Sequence, residues 1–527
     1  MFRPLSASLI QPGELPSPLK GRTFLLIAAF LLTTATGLRI YHVGGRSLWS
    51  DEAIVATISR GTLYDKAFVP HPSRGTFAEV LDQTRTWGSY PVFYPCMLYL
   101  VEKVGGGPIA VRAPSVLASI LAVLVMLAMG RVGVSRGAAL FSAAILAVST
   151  AQIRYAQEAR EYSLSILFAS VMIFCFLQWI RARSGSTHPL LLYAALFLAP
   201  FIQYGLVLFA FGILTTIGLL LVLDRSKSFR LPHAVIASAS LGAGGATSLL
   251  LTLRYQLGIR RSQGYLAENY FEPKTTSVLH FLFRNSRGLL GFMFPGRAIV
   301  VCFVIGAIIF CIEQTRRRKC DAVAILAFTS VLITAVASIA RVYPYGGIRQ
   351  CLFLAPALAL FAGVVFASFS GRLYGSYQQA TVLGVMALIL LSGCRGIFKS
   401  SPYREVEDIQ SVLKELSKSS APSDQVYVYP GAGPAVDFYL HGSPPRFIYG
   451  EDHRDAPQNY APELLASINR HTDRVWLVFS HMYGSEEQEI VDSLRSGWDV
   501  QRVVAATGAA LYVAGREPHP AFAGGKL

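Results

Sequence analysis

Leu25-Leu26-Ile27-Ala28-Ala29-Phe30-Leu31-Leu32-Thr33-Thr34-Ala35-Thr36-Gly37-Leu38 lies inside an apolar segment spanning 23–41, and Arg46-Ser47-Leu48-Trp49-Ser50-Asp51-Glu52-Ala53 follows shortly after. The apolar segment has the length of a bilayer-crossing helix, about 20 residues. No small-residue cleavage site precedes Arg39, so the segment reads as a retained first helix rather than a signal peptide. Two adjacent acids just past such a helix, beside a tryptophan of interfacial type, suit chemistry at a membrane surface.

Comparable apolar runs recur along the chain, which is 53% hydrophobic and only 15% charged. Soluble proteins carry about 25% charged residues, so the pattern is that of a polytopic α-helical membrane protein. The net charge of +16 comes from arginines and lysines grouped in short loops between apolar runs. That grouping sets membrane topology, and no nucleic-acid-binding module accompanies it. The seven cysteines lack metal-ligand or CxxC spacing, which gives no reason to expect zinc or disulfides.

Candidate spans fall at 23–41, 112–131, 137–152, 161–180, 189–203, 206–223, 233–252, 296–313, 321–340, 351–370 and 379–394, about eleven in all. Residues 1–22, rich in proline, read as a cytoplasmic tail. With that end inside, each even-numbered span leads to a basic loop: Arg131 and Arg136, Arg181 and Arg183, Arg225 to Arg230, Arg316 to Lys319, and Arg372. The positive-inside rule requires this. Residues 91–104 are apolar but short and carry Pro91 and Pro95, which suits an interfacial or re-entrant helix. The membrane module then occupies 23–395 with a long first external loop, 42–111. The tail at 396–527 lies outside, where β-rich runs (Gln425–Tyr429, Arg474–Ser480, Ala509–Val513) alternate with helical ones (Glu405–Leu416, Ala461–Ile468, Glu486–Leu494). The alternation predicts a small C-terminal α/β extracytoplasmic domain. Gly431-Ala432-Gly433-Pro434 is an incomplete dinucleotide fingerprint and favours a structural or acceptor-facing domain over a nucleotide site.

The same topology brings further segments to the external side. If helical, Gln152-Ile153-Arg154-Tyr155-Ala156-Gln157-Glu158-Ala159-Arg160-Glu161-Tyr162 places Arg154 and Glu158, and Glu158 and Tyr162, four residues apart on a helix face. It is either an interfacial cap or the bearer of a second carboxylate to work with Asp51. Two such acids can share a divalent metal ion, or one can act as base while the other orients a hydroxyl. In Arg341-Val342-Tyr343-Pro344-Tyr345-Gly346-Gly347-Ile348-Arg349-Gln350 the glycines permit close backbone approach. Arg349 there is a phosphate clamp or a snorkelling interfacial arginine. The basic loop 253–295 suits an anionic headgroup or simple solvation. His42 and His71 are candidate ligands or solvated loop residues.

Ser47-Leu48-Trp49-Ser50-Asp51-Glu52-Ala53, the Pro-aromatic helix at 91–95, Val111-Arg112-Ala113-Pro114-Ser115 and Tyr155 to Leu164 together resemble C-type glycosyltransferases. The likeness is to the bacterial branch of the dolichyl-phosphate-mannose protein mannosyltransferase family, related to the lipid A aminoarabinose transferase. It covers about 40–180, with a later motif at Arg341–Pro356. The resemblance implies a multi-pass enzyme of the bacterial inner membrane. Such an enzyme moves a monosaccharide, with inversion, from a polyprenyl-phosphate donor to a lipid, glycan or protein acceptor outside the cytoplasm. By the same resemblance Asp51 is the general base, Glu52 or Glu158 supports it through a metal or hydrogen bonds, and Arg160 and Arg349 hold the donor phosphate. Tyr155, Tyr162 and Tyr345 would orient substrate, and Asp51 with Glu158 would be the metal ligands. Where many relatives have His-Pro-Pro this chain has Gly88-Ser89-Tyr90-Pro91, so no role for that histidine carries over. The competing reading is a transporter or flippase for a lipid-linked or anionic solute. That reading requires charged or broken helices near the bilayer midplane.

Overall fold

The computed structural model describes residues 21–65, 69–71, 73–87, 91–181, 188–223, 231–256, 264, 266–373, 375–440, 446–453, 459–468 and 474–516. Most of the expected 1–22 tail lies outside them, as do Gly88 to Tyr90, Arg183, the 225–230 loop, Arg260 and Arg261. The chain forms two compact units. One comprises Met1–Tyr41, Ser89–Tyr94 and Arg112–Pro402; the other comprises His42–Gly88, Pro95–Val111 and Tyr403–Leu527. Most of the first external loop therefore shares a unit with the tail.

Helices dominate the first unit, and every one of the eleven expected span positions is helical. Among the described residues nine are long and apolar enough to cross a membrane, from Gly21–Ile40 through Tyr377–Ser400. The other two differ for physical reasons. The position expected at 137–152 holds two helices, Arg136–Val148 and Thr150–Ala156, bent by 61° where Ser149 turns extended (φ −66°, ψ 126°). At 189–203 the helix Pro189–Ile202 reaches only about 21 Å at 1.5 Å per residue, against a core of ~30 Å.

The break at Ser149 exposes carbonyls that need donors. Arg39, fully buried, supplies them: its Nη1 donates to Ala147 O (3.0 Å) and its Nη2 to Leu146 O (2.9 Å). Its Nε donates to Ser119 Oγ at 2.7 Å. Small residues set close helix approaches, as expected where lipid offers no hydrophobic drive between helices. Gly363 leaves no room for a Cβ beside Ser142 and the Ala138 carbonyl, and Gly212 none beside Ser330.

In the second unit, β1 (Leu63–Tyr64) and β2 (Pro70–His71) form a short antiparallel ribbon. The tail builds a five-stranded sheet from β3 (Gln425–Val428), β4 (Arg446–Tyr449), β5 (Arg474–Ser480), β6 (Asp499–Ala506) and β7 (Ala509–Gly515), in the order β4-β3-β5-β7-β6. β3 runs parallel to both β4 and β5, with Val426 opposite Phe447 and Trp476. β7 is antiparallel to β5 and β6. Tyr427, Leu477, Phe479, Ile490 and Leu494 anchor the core. The two strands of this sheet not anticipated from sequence, β4 and β6, are its two edges.

Candidate active site

Asp51 and Glu52 occupy the first turn of the helix Ser50–Ser59. Carboxylates are favoured there because the helix macrodipole is positive at that end. They part company in burial: Asp51 is half-buried, whereas Glu52 is 1% exposed. Of the pair, Asp51 is the more exposed.

Tail residues hold the segment that leads into this helix. Ser47 N donates to Glu405 Oε1 (2.7 Å) and Leu48 N to Tyr439 Oη (2.8 Å). Ser50 N donates to Glu407 Oε2 at 2.9 Å, and Ser47 Oγ to Asp408 Oδ1 at 3.2 Å. The far end of the helix is tied as well. Arg60 pairs with Glu102 (3.1 Å), donates to Phe438 O and lies 4.0 Å over the Phe438 ring. None of these tail partners carried a sequence signal, because each lies more than three hundred residues from the segment it holds.

In the first unit, side chains from two of the segments singled out in the sequence come near one another. Glu158 is buried, and Arg154 Nε donates to its Oε1 at 3.5 Å. Arg160 and Arg349, from segments far apart in sequence, converge on one ring: their guanidinium carbons lie 5.7 Å and 5.6 Å from the Tyr162 centroid. Arg160 also pairs with Glu161, Nε to Oε2 at 3.3 Å, a partner missed in the sequence reading. Tyr155 packs edge-on against Tyr162 at 5.4 Å. The loop carrying Arg160 is fixed from beneath, where Ser115 Oγ donates to Arg160 O (2.9 Å) and meets Tyr94 Oη at 2.7 Å.

Tyr345 is buried and its hydroxyl meets Ser286 Oγ at 2.8 Å. Burial raises its pKa, so the phenol stays protonated. Gly346 takes φ +146° where a Cβ would strike Asn269 and Asn285, which is the conformational freedom that position needs. Tyr345 and Ser286 line one end of a cavity of about 450 Å³, otherwise walled by Leu289, Phe303, Phe328, Phe361 and further apolar side chains.

His71, half-exposed, meets Asp65 at 3.2 Å. His42 adopts φ +59° in the turn after the first helix. Among the described residues no three His, Cys, Asp or Glu side chains gather as a metal site. Asp51 and Glu158 belong to different units.

No family model matches the chain, and no curated protein matches it by sequence. Solved structures do. ArnT from Cupriavidus metallidurans in the apo state aligns over 93% of this chain and 97% of its own, with TM-score 0.53 and 15% identity. A second ArnT structure, bound to undecaprenyl phosphate, aligns over the same shares with TM-score 0.50 and 14% identity. The archaeal oligosaccharyltransferase AglB from Archaeoglobus fulgidus, in complex with an inhibitory peptide and a dolichol-phosphate, aligns over 93% of this chain and 74% of its own. Its TM-score is 0.53 and its identity 11%. Another structure of the Archaeoglobus fulgidus oligosaccharyltransferase contains Zn and sulfate.

This is the glycosyltransferase-C fold. The chain is a multi-pass α-helical membrane protein of that fold, with a small C-terminal α/β domain.

Proposed function

We propose that the chain is a membrane glycosyltransferase. It moves a monosaccharide from a polyprenyl-phosphate donor to a lipid, glycan or protein acceptor on the extracytoplasmic face of a bacterial inner membrane. The observation that carries this reading is the meeting of Arg160 and Arg349 on the Tyr162 ring. Two guanidiniums near one aromatic ring suit a phosphate, which each can bind through a fork of N–H donors. The cavity beyond Tyr345 has apolar walls that suit a prenyl chain. The ligands held by the ArnT and AglB structures are of the same chemical class.

In the proposed reaction the acceptor hydroxyl attacks the anomeric carbon as Asp51 takes its proton. The bond from that carbon to the phosphate oxygen breaks on the opposite side, and its electron pair leaves with the polyprenyl phosphate. Attack opposite the leaving group inverts the anomeric configuration. Arg160 and Arg349 neutralise charge as it builds on the phosphate, the electrostatic stabilisation such a leaving group needs. Tyr155, Tyr162 and Tyr345 shape the walls for the substrate, and Glu158 holds Arg154 in place.

The transporter reading receives less support. Among the described residues Glu313, in the last turn of its helix, is the one acid within the nine candidate spans, and a solute pathway calls for charge near the midplane. Purified full-length protein with radiolabelled polyprenyl-phosphate sugars and candidate acceptors separates the two. The enzyme reading predicts acceptor labelling that Asp51→Asn lowers by roughly 100- to 10,000-fold. Substrate accumulation in vesicles with no transfer would favour a transporter.

A further inference from the structure

The tail sheet has a topological switch point. From β3 the chain moves outward to β4, then returns across β3 to pair β5 on the other side. In open α/β sheets, the crevice outside the carboxyl ends of two such parallel strands is where ligands bind. Here β3 ends at Val428 and leads into Tyr429-Pro430-Gly431, while β5 ends at Ser480 and leads into His481. The two exits run close together: a Cβ on Gly431 would lie 2.7 Å from Ser480 O and 2.9 Å from His481 Cβ.

His481 itself adopts φ +57°, a left-handed conformation that costs a non-glycine residue energy and tends to persist where other contacts enforce it. Those contacts are on both ring nitrogens. Nδ1 meets Glu407 Oε1 at 2.7 Å and Nε2 meets Tyr483 Oη at 2.8 Å. The other oxygen of Glu407 accepts from Ser480 Oγ (3.2 Å) and from Ser50 N (2.9 Å). The Trp49 ring lies 6.3 Å from the His481 ring. The mouth of this crevice thus faces the chain's own segment 47–50, whose backbone amides at Ser47, Leu48 and Ser50 all donate to tail side chains.

We propose that Glu407 and His481 are positioning residues for Asp51, and that the tail domain uses its switch-point crevice as a clamp on the Asp51 helix. The proposal rests on the reading of Asp51 as the base. Trp49, the N-cap residue, makes no side-chain capping bond. Glu407 fills that role from outside the helix: its carboxylate accepts from Ser50 N, one of the amides a helix N-terminus leaves without an internal partner. His481 holds the carboxylate in register through the opposite oxygen. The side chain one residue on is Asp51. A base displaced by about 1 Å loses on the order of 100-fold in rate, because the reacting atoms no longer meet in line.

The test compares Glu407→Ala, Glu407→Gln and His481→Gly with wild type and Asp51→Asn, all in the full-length protein. Glutamine keeps an oxygen for Ser50 N and Ser480 Oγ and offers an amide N–H to His481, whereas alanine keeps neither. Glycine accepts the φ of His481 without its ring. The proposal predicts that Glu407→Ala and His481→Gly lower kcat roughly 100-fold with donor KM within about threefold, and that Glu407→Gln restores most of the loss. Amide hydrogen exchange over Ser50 to Ala53 should quicken in the same two variants and not in Glu407→Gln. If kcat per folded molecule is unchanged in Glu407→Ala and His481→Gly while Asp51→Asn is inactive, the clamp is wrong and the base reading stands. If Asp51→Asn transfers as well as wild type, the base reading has failed, and exchange over Ser50 to Ala53 still reports whether Glu407 holds the helix. Should Glu407→Ala not fold, His481→Gly and Glu407→Gln carry the comparison, and unchanged kcat and exchange in His481→Gly would overturn the proposal.

Discussion

Arg349 shows what one residue contributes in the proposed site. Its guanidinium reaches the ring that Arg160 also reaches, 5.6 Å and 5.7 Å from the Tyr162 centroid. A hydrogen bond to a charged group is worth about 1.5–3 kcal/mol, which is roughly 10- to 100-fold in affinity. Arg349→Ala is therefore expected to weaken donor binding by that factor, measured by titrating a polyprenyl phosphate into the purified protein. Arg349→Lys should recover only part of it, since a lysine lacks the planar fork. Unchanged affinity in both would remove Arg349 from the phosphate site. Asp51 stood out in the sequence as one of two adjacent acids beside an apolar run, Arg349 by its place after Gly346-Gly347 at the head of a span, and Arg160 through the resemblance carried by Tyr155 to Leu164. Glu407, His481 and Tyr439 did not. Glu407 and Tyr439 accept from the backbone of a segment far away in the chain, and His481 acts on it through Glu407, contacts that no local pattern encodes.

At the scale of elements, the spans were legible because about twenty apolar residues in a row leave few alternatives in lipid. The bend at Ser149 was not legible. It depends on Arg39, a cation in a different helix, accepting burial in exchange for the freed carbonyls of Leu146 and Ala147. In the tail the interior strands β3, β5 and β7 were readable from their apolar runs, and the edge strands were not.

The helix Tyr460–Ser467 carries a titratable element of that tail. Burial raises the Glu463 pKa to about 7, against the opposing pull of hydrogen bonds such as the one from Tyr427 Oη at 3.4 Å. Because the folded pKa exceeds the unfolded one, the folded state holds the proton longer. Between about pH 4.5 and 7 the unfolded chain has released a proton that the folded chain still keeps, so stability falls as pH rises. Thermal unfolding of the full-length protein should show the tail transition falling through that window. Glu463→Gln should flatten the fall; an unchanged slope would contradict the assignment.

Across the whole molecule, the proposed base belongs to one unit and the proposed phosphate residues to the other. The topology drawn from basic loops assigns both sets of residues to the external side. Single cysteines at Arg74, Arg316 and Ser496, all exposed, in a chain whose native cysteines are replaced by serine, test this with an impermeant thiol reagent. The topology drawn from basic loops predicts labelling from outside at 74 and 496, and protection at 316. The opposite pattern would invert the orientation. The most direct test of the central claim is transfer from an anomerically defined polyprenyl-phosphate sugar, comparing wild type with Asp51→Asn and reading the product by NMR. The account predicts a product of inverted configuration from wild type, and a transfer rate roughly 100- to 10,000-fold lower from Asp51→Asn with donor affinity kept. A product of retained configuration, or equal rates from the two proteins, would contradict it.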